Sequence, residues 1–318
     1  MANRICEFTK LYFFFTDNKL KPDHVKVGIY GQYYKEDSKK YIHTLLSVLK
    51  KNKAEVFLET TYLDQIKEPL SISENYPTFS SFEDLDNSFD IFLSVGGDGT
   101  MLRAVLFVRD LNIPILGINT GRLGFLATVQ KENLEEAVEE VLNNGFEVKE
   151  RTLLQIATDM PMEGETEVNF ALNEIAVSRK NTTSMITIAT WLDGEYLTSY
   201  WADGLIVSTP TGSTGYSLSC NGPVIAPSTD ALVLTPIAPH NLNARPLVIP
   251  DKTEIKLKVS GREESFLVSL DSRIATLSNE AEITITQAPF KIKLVDLADE
   301  SFLKTLRKKL LWGEDKRN

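Results

Sequence analysis

The stretch Ile91-Phe92-Leu93-Ser94-Val95-Gly96-Gly97-Asp98-Gly99-Thr100 sets the class of the fold. Five mostly apolar residues run into two glycines, an acid, a third glycine and a threonine, and a helical pattern starts near Met101. The order is strand, tight loop, helix. An apolar run without alternation reads as a strand buried on both faces, the habit of parallel sheets. Glycines directly after it let the backbone approach a ligand and take positive φ, and the amides that open the helix favour an anion. Asp98 puts a negative charge where that anion would sit. The conflict resolves if Asp98 contacts a divalent cation or takes a proton from an attacking hydroxyl beside bound phosphates. A plain strand-to-helix turn with Asp98 as helix cap accounts for the same residues, and the short motif alone does not separate the two readings.

Upstream, Val25–Tyr30 reads as a strand, Ser38–Lys51 as a helix with Tyr41, Leu45, Leu46 and Leu49 on one face, and Glu55–Glu59 as a second strand. The βαβ alternation implies a parallel sheet. Residues 60–90, with Pro69, Pro77 and an acidic-serine run, read as an irregular solvated connection. Downstream, a strand at Ile113–Ile118 ends in Asn119-Thr120-Gly121-Arg122-Leu123-Gly124-Phe125. In a parallel sheet both glycine loops leave from the carboxyl edge, where ligands of open α/β sheets bind, so the two loops can form one site. A helix over Lys131–Asn143 places Leu134, Ala137, Val138, Val141 and Leu142 at helical spacing and stops at Gly145.

Beyond Gly145 the pattern changes to short β-rich runs between turn residues: Leu153–Thr158, Ala171–Val177, Met185–Leu192, Glu195–Tyr200, Gly204–Ser208, Thr253–Val259, Phe266–Leu270, Glu282–Gln287 and Ile292–Val295. Asp193-Gly194 is a hairpin turn signal. The expected organisation is therefore an N-terminal open parallel-sheet α/β domain, residues 1–145, and a C-terminal predominantly β domain, residues 146–299. A final helix from about Glu300 to Trp312 carries Phe302, Leu306 and Leu310 four apart.

Two stretches of the β-rich part are unusual for scaffolding. Asn173-Glu174 interrupts an apolar run, and because strand side chains alternate, one of the pair must point inward, where a polar group needs a partner. An internal hydrogen bond or salt bridge is the structural alternative to a ligand. Asp203-Gly204 leads through a β run into Ser208-Thr209-Pro210-Thr211-Gly212-Ser213-Thr214-Gly215-Tyr216-Ser217-Leu218-Ser219. Hydroxyls, small residues and one aromatic ring suit a nucleoside pocket, although a Ser/Thr-rich turn has the same composition.

The 318 residues suggest about two domains, and 34 basic against 44 acidic side chains give a net charge of −10. Such a surface disfavours nucleic acid and anionic membranes, while a local basic pocket can still hold phosphates. Two cysteines, Cys6 and Cys220, fit a reducing cytoplasm, and Cys220 reads as a small packed residue. No run approaches the roughly 18 apolar residues of a membrane span. Tyr12-Phe13-Phe14-Phe15 is flanked by Glu7, Lys10 and Asp17, which interrupt a signal-peptide core, so the first 20 residues read as an appended strand or a poorly ordered extension. His24, His43 and His240 lie outside the glycine loops and are assigned no catalysis.

Taken together, Gly96–Thr100, Asn119–Phe125, Asn173-Glu174, Asp203-Gly204 with Pro210–Ser219, Asn221-Gly222-Pro223, His240 to Pro246, Asp271-Ser272-Arg273 and Trp312-Gly313 resemble the bacterial-type NAD kinase family. The glycine loop alone is shared with diacylglycerol and sphingosine kinases and, more loosely, with 6-phosphofructokinases; the Asn-Glu pair followed by the long hydroxyl-rich stretch is far more specific. The resemblance implies transfer of the γ-phosphate of ATP to the adenosine-ribose 2′-hydroxyl of NAD, with a divalent ion, magnesium, whose protein ligands it does not assign. It implies Asp98 as the base, Gly96, Gly97, Gly99 and Thr100 around the donor's phosphates in place of a Walker lysine, and Arg103 as added positive charge. Phe125 would lie near the nucleoside, and Asn173, Glu174, Asp203, Thr211, Thr214, Gly215, Tyr216, Ser217, Leu218, Ser219 and Arg273 would bind the dinucleotide. It further implies that the segment 300–318 packs back on the first domain, and that the protein is a homo-oligomer, dimer or tetramer. Trp201 stands where some relatives carry arginine and Arg273 where many carry glutamine, departures that bear on the details of substrate or phosphate contacts and not on the reaction. The lipid-kinase reading leaves the Asn-Glu pair unexplained, and this acidic chain shows no basic amphipathic membrane-binding helix; a non-catalytic nucleotide sensor is the third class.

Overall fold

The structure, a computed structural model, describes residue 20 and residues 24–32, 38–164, 168–181, 184–241, 243–298 and 301–311. The aromatic run Tyr12–Phe15, Cys6 and Trp312-Gly313 lie outside the described residues. The first part of the chain forms β1 (Lys26–Gly31), α1 (Ser38–Lys51), β2 (Glu55–Glu59), α2 (Thr60–Lys67), β3 (Thr78–Phe79), β4 (Ile91–Gly96), α3 (Asp98–Val108), β5 (Ile115–Asn119), β6 (Val129–Gln130) and α4 (Leu134–Leu142). Then come β7 (Phe146–Thr158), β8 (Glu163–Gly164), β9 (Phe170–Ala171), β10 (Glu174–Ser178), β11 (Ile186–Leu192), β12 (Glu195–Ala202) and β13 (Gly204–Ser208). A four-residue α5 (Tyr216–Ser219) precedes β14 (Ala231–Ile237), β15 (Leu247–Pro250), β16 (Ile255–Ser260), β17 (Ser265–Leu270), β18 (Arg273–Ser278), β19 (Glu282–Leu297) and α6 (Phe302–Leu310).

The strands build two sheets. The larger has the order β12-β11-β16-β19-β5-β4-β1-β2-β3, and the smaller, β15-β14-β13-β10-β17-β18-β8, is antiparallel throughout. In the larger sheet β3, β2, β1, β4 and β5 are parallel, and every residue of β4 is buried, as its unbroken apolar run requires. Five apolar side chains of α1 (Ile42, Leu45, Leu46, Val48, Leu49) pack with α4 over one face of that parallel core. At about 1.5–3 kcal/mol for each fully buried aliphatic side chain, this face outweighs any helical propensity of the segment. The buried side of α3, through Met101, Ala104, Val105 and Val108, covers the opposite face against Phe92 and Ile115.

The larger sheet continues across Gly145 without a break. The strand β19 lies parallel to β5 through Leu294 and Ile115 and antiparallel to β7 and β16. The smaller sheet packs on this antiparallel half, with Ile175, Val207, Phe266 and Val268 facing Ile156, Ile188, Leu257 and Ile283 in one apolar layer.

Several expectations need correction. Residues 60–90 are not an irregular connection: Tyr62 and Ile66, four apart and buried, anchor α2, and the Glu59 carboxylate caps it by accepting from the N–H of Thr61 and Tyr62 at 3.0 and 2.8 Å. Glutamate is an uncommon cap, which hid the start of this helix. The helix after the glycine loop begins at Asp98, three residues before Met101. The runs at 282–287 and 292–295 are one sixteen-residue strand whose register shifts between Gln287 and Lys291, around Pro289, which has no N–H to pair. The expected strand 171–177 is broken at Leu172-Asn173, and β14, β15 and β18 were not anticipated.

Candidate active site

The glycine loop joins β4 to α3, and its glycines serve different purposes. A side chain at Gly96 would put its Cβ 2.2 Å from Thr100 Oγ1, whereas at Gly97 and Gly99 it would meet nothing within 4 Å. Positive φ is found at neither: Gly97 has φ −109°, and among the described residues only Gly164 and Gly194 are left-handed glycines. Open approach, not backbone handedness, is what Gly97 and Gly99 supply. The hydroxyl of Thr100 donates to Gln32 Oε1 at 3.1 Å and its N–H to Gly97 O at 3.0 Å, so Thr100 holds the loop together from inside. In an 11-residue helix such as α3 the opening N–H groups lie ahead of the i→i−4 ladder; those of Thr100 and Met101 turn back to Gly97 O, and those of Asp98 and Gly99 precede them.

Asp98 is turned toward the second glycine loop. Its Oδ2 accepts from the N–H of Phe125 at 2.7 Å, and its Oδ1 accepts from Leu126 and Ala127, each at 3.0 Å. A carboxylate offers about four lone-pair positions; three are filled, and the one left is on Oδ2. The close approach depends on Gly124, where a Cβ would lie 1.8 Å from Oδ1. Buried Asn119, at the end of β5, folds this second loop by donating to Arg122 O and Ala127 O and accepting from Gly121 N–H.

The side chains of the clamped loop lead to the β-rich part. Phe125 and Leu126 line a small enclosed cavity of about 80 Å³ with Thr211, Thr214, Phe302 and Thr305. The ring of Phe302, in α6, lies 6.3 Å from that of Phe125, and Lys309 Nζ stands 5.4 Å from the Phe125 ring on the same helix. Leu306 anchors α6.

At the break between β9 and β10, Leu172, Asn173 and Glu174 present consecutive N–H groups to one carboxylate. Asp271 Oδ2 accepts from Leu172 at 3.0 Å, and its Oδ1 accepts from Asn173 and Glu174 at 2.8 and 3.2 Å. This frees the two side chains from backbone duty. Asn173 Oδ1 and Glu174 Oε2 are buried with no hydrogen-bond partner. The Glu174 carboxyl is pushed up to about 8, chiefly by burial and then by the negative Asp271, while the Tyr216 N–H pulls the other way. Glu174 Oε2 faces Gly215, where an added Cβ would be 3.1 Å away, and at Gly212 a Cβ would strike Asn173 O at 2.1 Å.

The expected dinucleotide residues divide into two groups. Thr211, Thr214, Gly215, Asn173 and Glu174 come together as described, with exposed Tyr216 and Ser219 and half-buried Leu218 on α5 beside them. Ser217 is fully buried and shares a hydrogen bond with Thr235 at 2.8 Å, and Asp203 forms a 2.9 Å ion pair with Arg179. Arg273 turns toward α3, donating to Val168 O at 2.9 Å and to Phe170 O, in the same cleft as exposed Arg103. Sequence reasoning gave no role to Asp271, Asn119, Phe302 or Arg109. Asn119 ends a buried strand, Asp271 stands in one of the quoted motifs and Phe302 in the helical spacing of the final helix; Arg109 carried no signal.

Among the described residues no three His, Cys, Asp or Glu side chains form a metal-binding group. The single free position on Asp98 suits a divalent ion carried mainly by phosphates, as magnesium often is.

Comparison with known families matches residues 27–146 to the ATP-NAD kinase N-terminal domain and residues 172–297 to the ATP-NAD kinase C-terminal domain. The chain is 60% identical over 294 residues to an NAD kinase of Christiangramia forsetii and 58% identical over 294 residues to one of Flavobacterium psychrophilum, covering 92% of this chain and all of each relative. Among solved structures it is similar to yeast NADH kinase complexed with NADH, with a TM-score of 0.81, 25% identity, and coverage of 94% of this chain and 90% of that one. It is also similar to an NAD kinase from Archaeoglobus fulgidus in complex with ATP, with a TM-score of 0.70, 28% identity, and coverage of 90% and 99%.

Proposed function

The chain belongs to the ATP-NAD kinase family and phosphorylates NAD to NADP, and from that premise we propose how its residues divide the reaction. The adenosine-ribose 2′-hydroxyl of NAD attacks the γ-phosphorus of ATP. As the new O–P bond forms, the bond to the β-phosphate oxygen breaks, and ADP leaves with its electron pair. The hydroxyl proton passes to the open lone pair on Asp98 Oδ2. That lone pair, fixed in direction by the three N–H groups on the other positions, is the observation that carries the assignment.

The open sides of Gly97 and Gly99, with the amides at the start of α3, receive the donor's terminal phosphates; Gly96 and Thr100 shape that loop from within, and Arg103 adds positive charge. Magnesium would come bound to ATP as part of the substrate and would neutralise phosphate charge there, leaving the one open position on Asp98 Oδ2 to the proton. Asn173, Glu174, Thr211, Thr214, Gly215, Tyr216, Leu218 and Ser219 bind the dinucleotide, where the unpartnered Asn173 Oδ1 and Glu174 Oε2 await polar groups. Asp203, through its pair with Arg179, and buried Ser217 act as supports for that wall. Phe125 lies at the nucleoside, backed by α6.

The same proposal divides the chain into a phosphate-loop unit, 1–145, onto which 300–318 returns, and a dinucleotide unit, 146–299. The contact of Phe302 with Phe125 supports the return. We place the protein in the cytoplasm as a dimer or tetramer; exposed Tyr196, Leu197 and Trp201 on the edge strand β12 support association. Incubation with Mg–ATP and, separately, NAD, NADH, adenosine and diacylglycerol tests the reading. NADP must form from NAD, and phosphorylation of free adenosine at a comparable rate would show that the Asn173–Ser219 wall does not select the acceptor.

A further inference from the structure

The glycine loop after β4 carries two residues, Gly97 and Gly99, at which an added Cβ meets nothing within 4 Å. Glycine has the most conformational freedom to lose on ordering, so a loop of this kind must be held from outside. Its strand lies between β5 and β1 in the sheet, and the loop is tied to both sides. Toward β5, Asp98 accepts from the N–H groups of Phe125, Leu126 and Ala127. Toward β1, the hydroxyl of buried Thr100 donates to Gln32 Oε1 at 3.1 Å.

Gln32 is itself fixed. Its N–H donates to Val95 O at 3.1 Å, which carries the β1–β4 ladder one residue past the end of β1. Gly31, just before it, lies against the ring of buried Tyr62 from α2, where an added Cβ would stand 2.5 Å from Cζ. The Thr100 side chain is equally confined, since its Oγ1 occupies the room beside Gly96. The chain leaves β1 for α1 on one face of the sheet and leaves β4 for α3 on the other. In open α/β sheets the crevice where neighbouring connections part in this way is the binding edge, and Gln32 and Thr100 span it.

We propose that Gln32 is a positioning residue of phosphoryl transfer, acting through Thr100 to hold the glycine loop and Asp98 in place while the proton moves. The inference rests on the assignment of Asp98 as the base. The two ties respond differently to the reaction. When Asp98 takes the proton it loses its charge, and its bonds to the three amides weaken, because charge-assisted hydrogen bonds are roughly twice as strong as neutral ones. The bond from Thr100 to Gln32 joins two neutral groups and keeps its strength throughout. As the first tie slackens, the second keeps the start of α3 from turning, for Thr100 follows Asp98 within the same helical turn. Loss of this bond therefore acts on kcat more than on nucleotide binding.

The test compares Gln32→Met, which keeps the length but removes the acceptor, with Thr100→Val, Thr100→Ser and the double variant of Gln32→Met with Thr100→Val. Each is made in the full-length protein, and a circular dichroism melt establishes folding. Turnover of NAD is followed at saturating Mg–ATP, KM is measured for ATP, and NAD binding is measured by calorimetry. Gln32→Met and Thr100→Val should each lower kcat roughly five- to tenfold, the rate equivalent of one hydrogen bond, with the ATP KM and the NAD Kd within about twofold. The double variant should fall no further than either single one, since both remove the same bond. Thr100→Ser keeps the hydroxyl and should stay within about twofold of wild type. A Gln32→Met enzyme with wild-type kcat, losses that multiply in the double variant, or a loss confined to the ATP KM or the NAD Kd overturns the proposal. Any of these with Asp98→Asn inactive leaves the base assignment standing, whereas an active Asp98→Asn enzyme overturns that assignment and the role of Gln32 with it. If Gln32→Met melts below the assay temperature, Gln32→Asn, too short to reach Thr100, is judged by the same outcomes.

Discussion

Two aspartates, in separate parts of the chain, are built into the same clamp. Asp98 accepts from the N–H groups of Phe125, Leu126 and Ala127, and Asp271 from those of Leu172, Asn173 and Glu174. In each, three consecutive amides converge on one side chain that is remote in sequence. The surroundings differ. Asp98 stands between glycines that face open space, whereas half-buried Asp271 sits in a cleft wall, where burial pushes its carboxyl up against the pull of the amides and Arg273. The first clamp keeps a lone pair directed into the site; the second holds a strand break in shape and leaves Asn173 and Glu174 with polar atoms to offer. On the proposed assignment one device prepares the chemistry and the other the acceptor's wall.

The largest effect is expected at the first clamp. Asp98→Asn keeps the side-chain shape but cannot take a proton at neutral pH, and kcat should fall by roughly 10²–10⁴ with little change in NAD affinity. A magnesium titration sharpens the result: a base stays lost at any concentration, while a metal contact is partly rescued. Gly124→Ala places its Cβ against Asp98 Oδ1; moving the carboxylate by about 1 Å should lower kcat on the order of 10²-fold. Wild-type turnover in Gly124→Ala would mean that the orientation of this carboxylate does not matter to the reaction.

At the second clamp the effects are smaller and concern pH and affinity. With the Glu174 carboxyl raised from 4.5 to about 8, the native state keeps a proton that the unfolded chain gives up. Its stabilising share is complete below pH 4.5 and is lost as pH rises through 8. Glu174→Gln cannot ionise, so its melting temperature should match wild type at pH 5 and exceed it at pH 9. The gain should be on the order of 2 kcal/mol once part of the shift is assigned to neighbouring Asp271. Parallel melting curves at both pH values would show that Glu174 is not held protonated. Asn173→Ala should weaken NAD binding by about 1 kcal/mol in a calorimetric titration, with the melting temperature nearly unchanged. A collapse in stability with NAD affinity intact would make the residue a scaffold group.

The glycine loop, its strand and its helix were legible because their signals are local: an apolar run, three glycines, and an acid out of keeping with them. Ser38–Lys51 and Glu55–Glu59 were readable for the same reason, each carrying its own periodicity and stop signal. The helix α2 escaped because its cap is Glu59 and only Tyr62 and Ile66 mark its buried side. Positive φ at the glycines was expected from residue type, but what decides their identity is the space around them. Arg109 carries no sequence mark at all, and Phe302 was marked only as an apolar residue on the final helix.

The order of residues by itself determined the parallel core with a glycine loop at its carboxyl edge, the β-rich remainder, and the Asn173-Glu174 and Thr211–Ser219 stretches as candidates. Composition and hydrophobic period act over a few residues, and those features are written at that range. Only the tertiary structure decided that Asp98 points into the second glycine loop, that β19 joins β5 so that one sheet runs through both parts of the chain, and that Asp271 rather than a neighbour in sequence holds Asn173 and Glu174. It also brought Arg273 to the α3 cleft beside Arg103 and Arg109. These are contacts between residues up to about 180 positions apart, fixed by which apolar faces must be covered at once, and no local pattern encodes that choice.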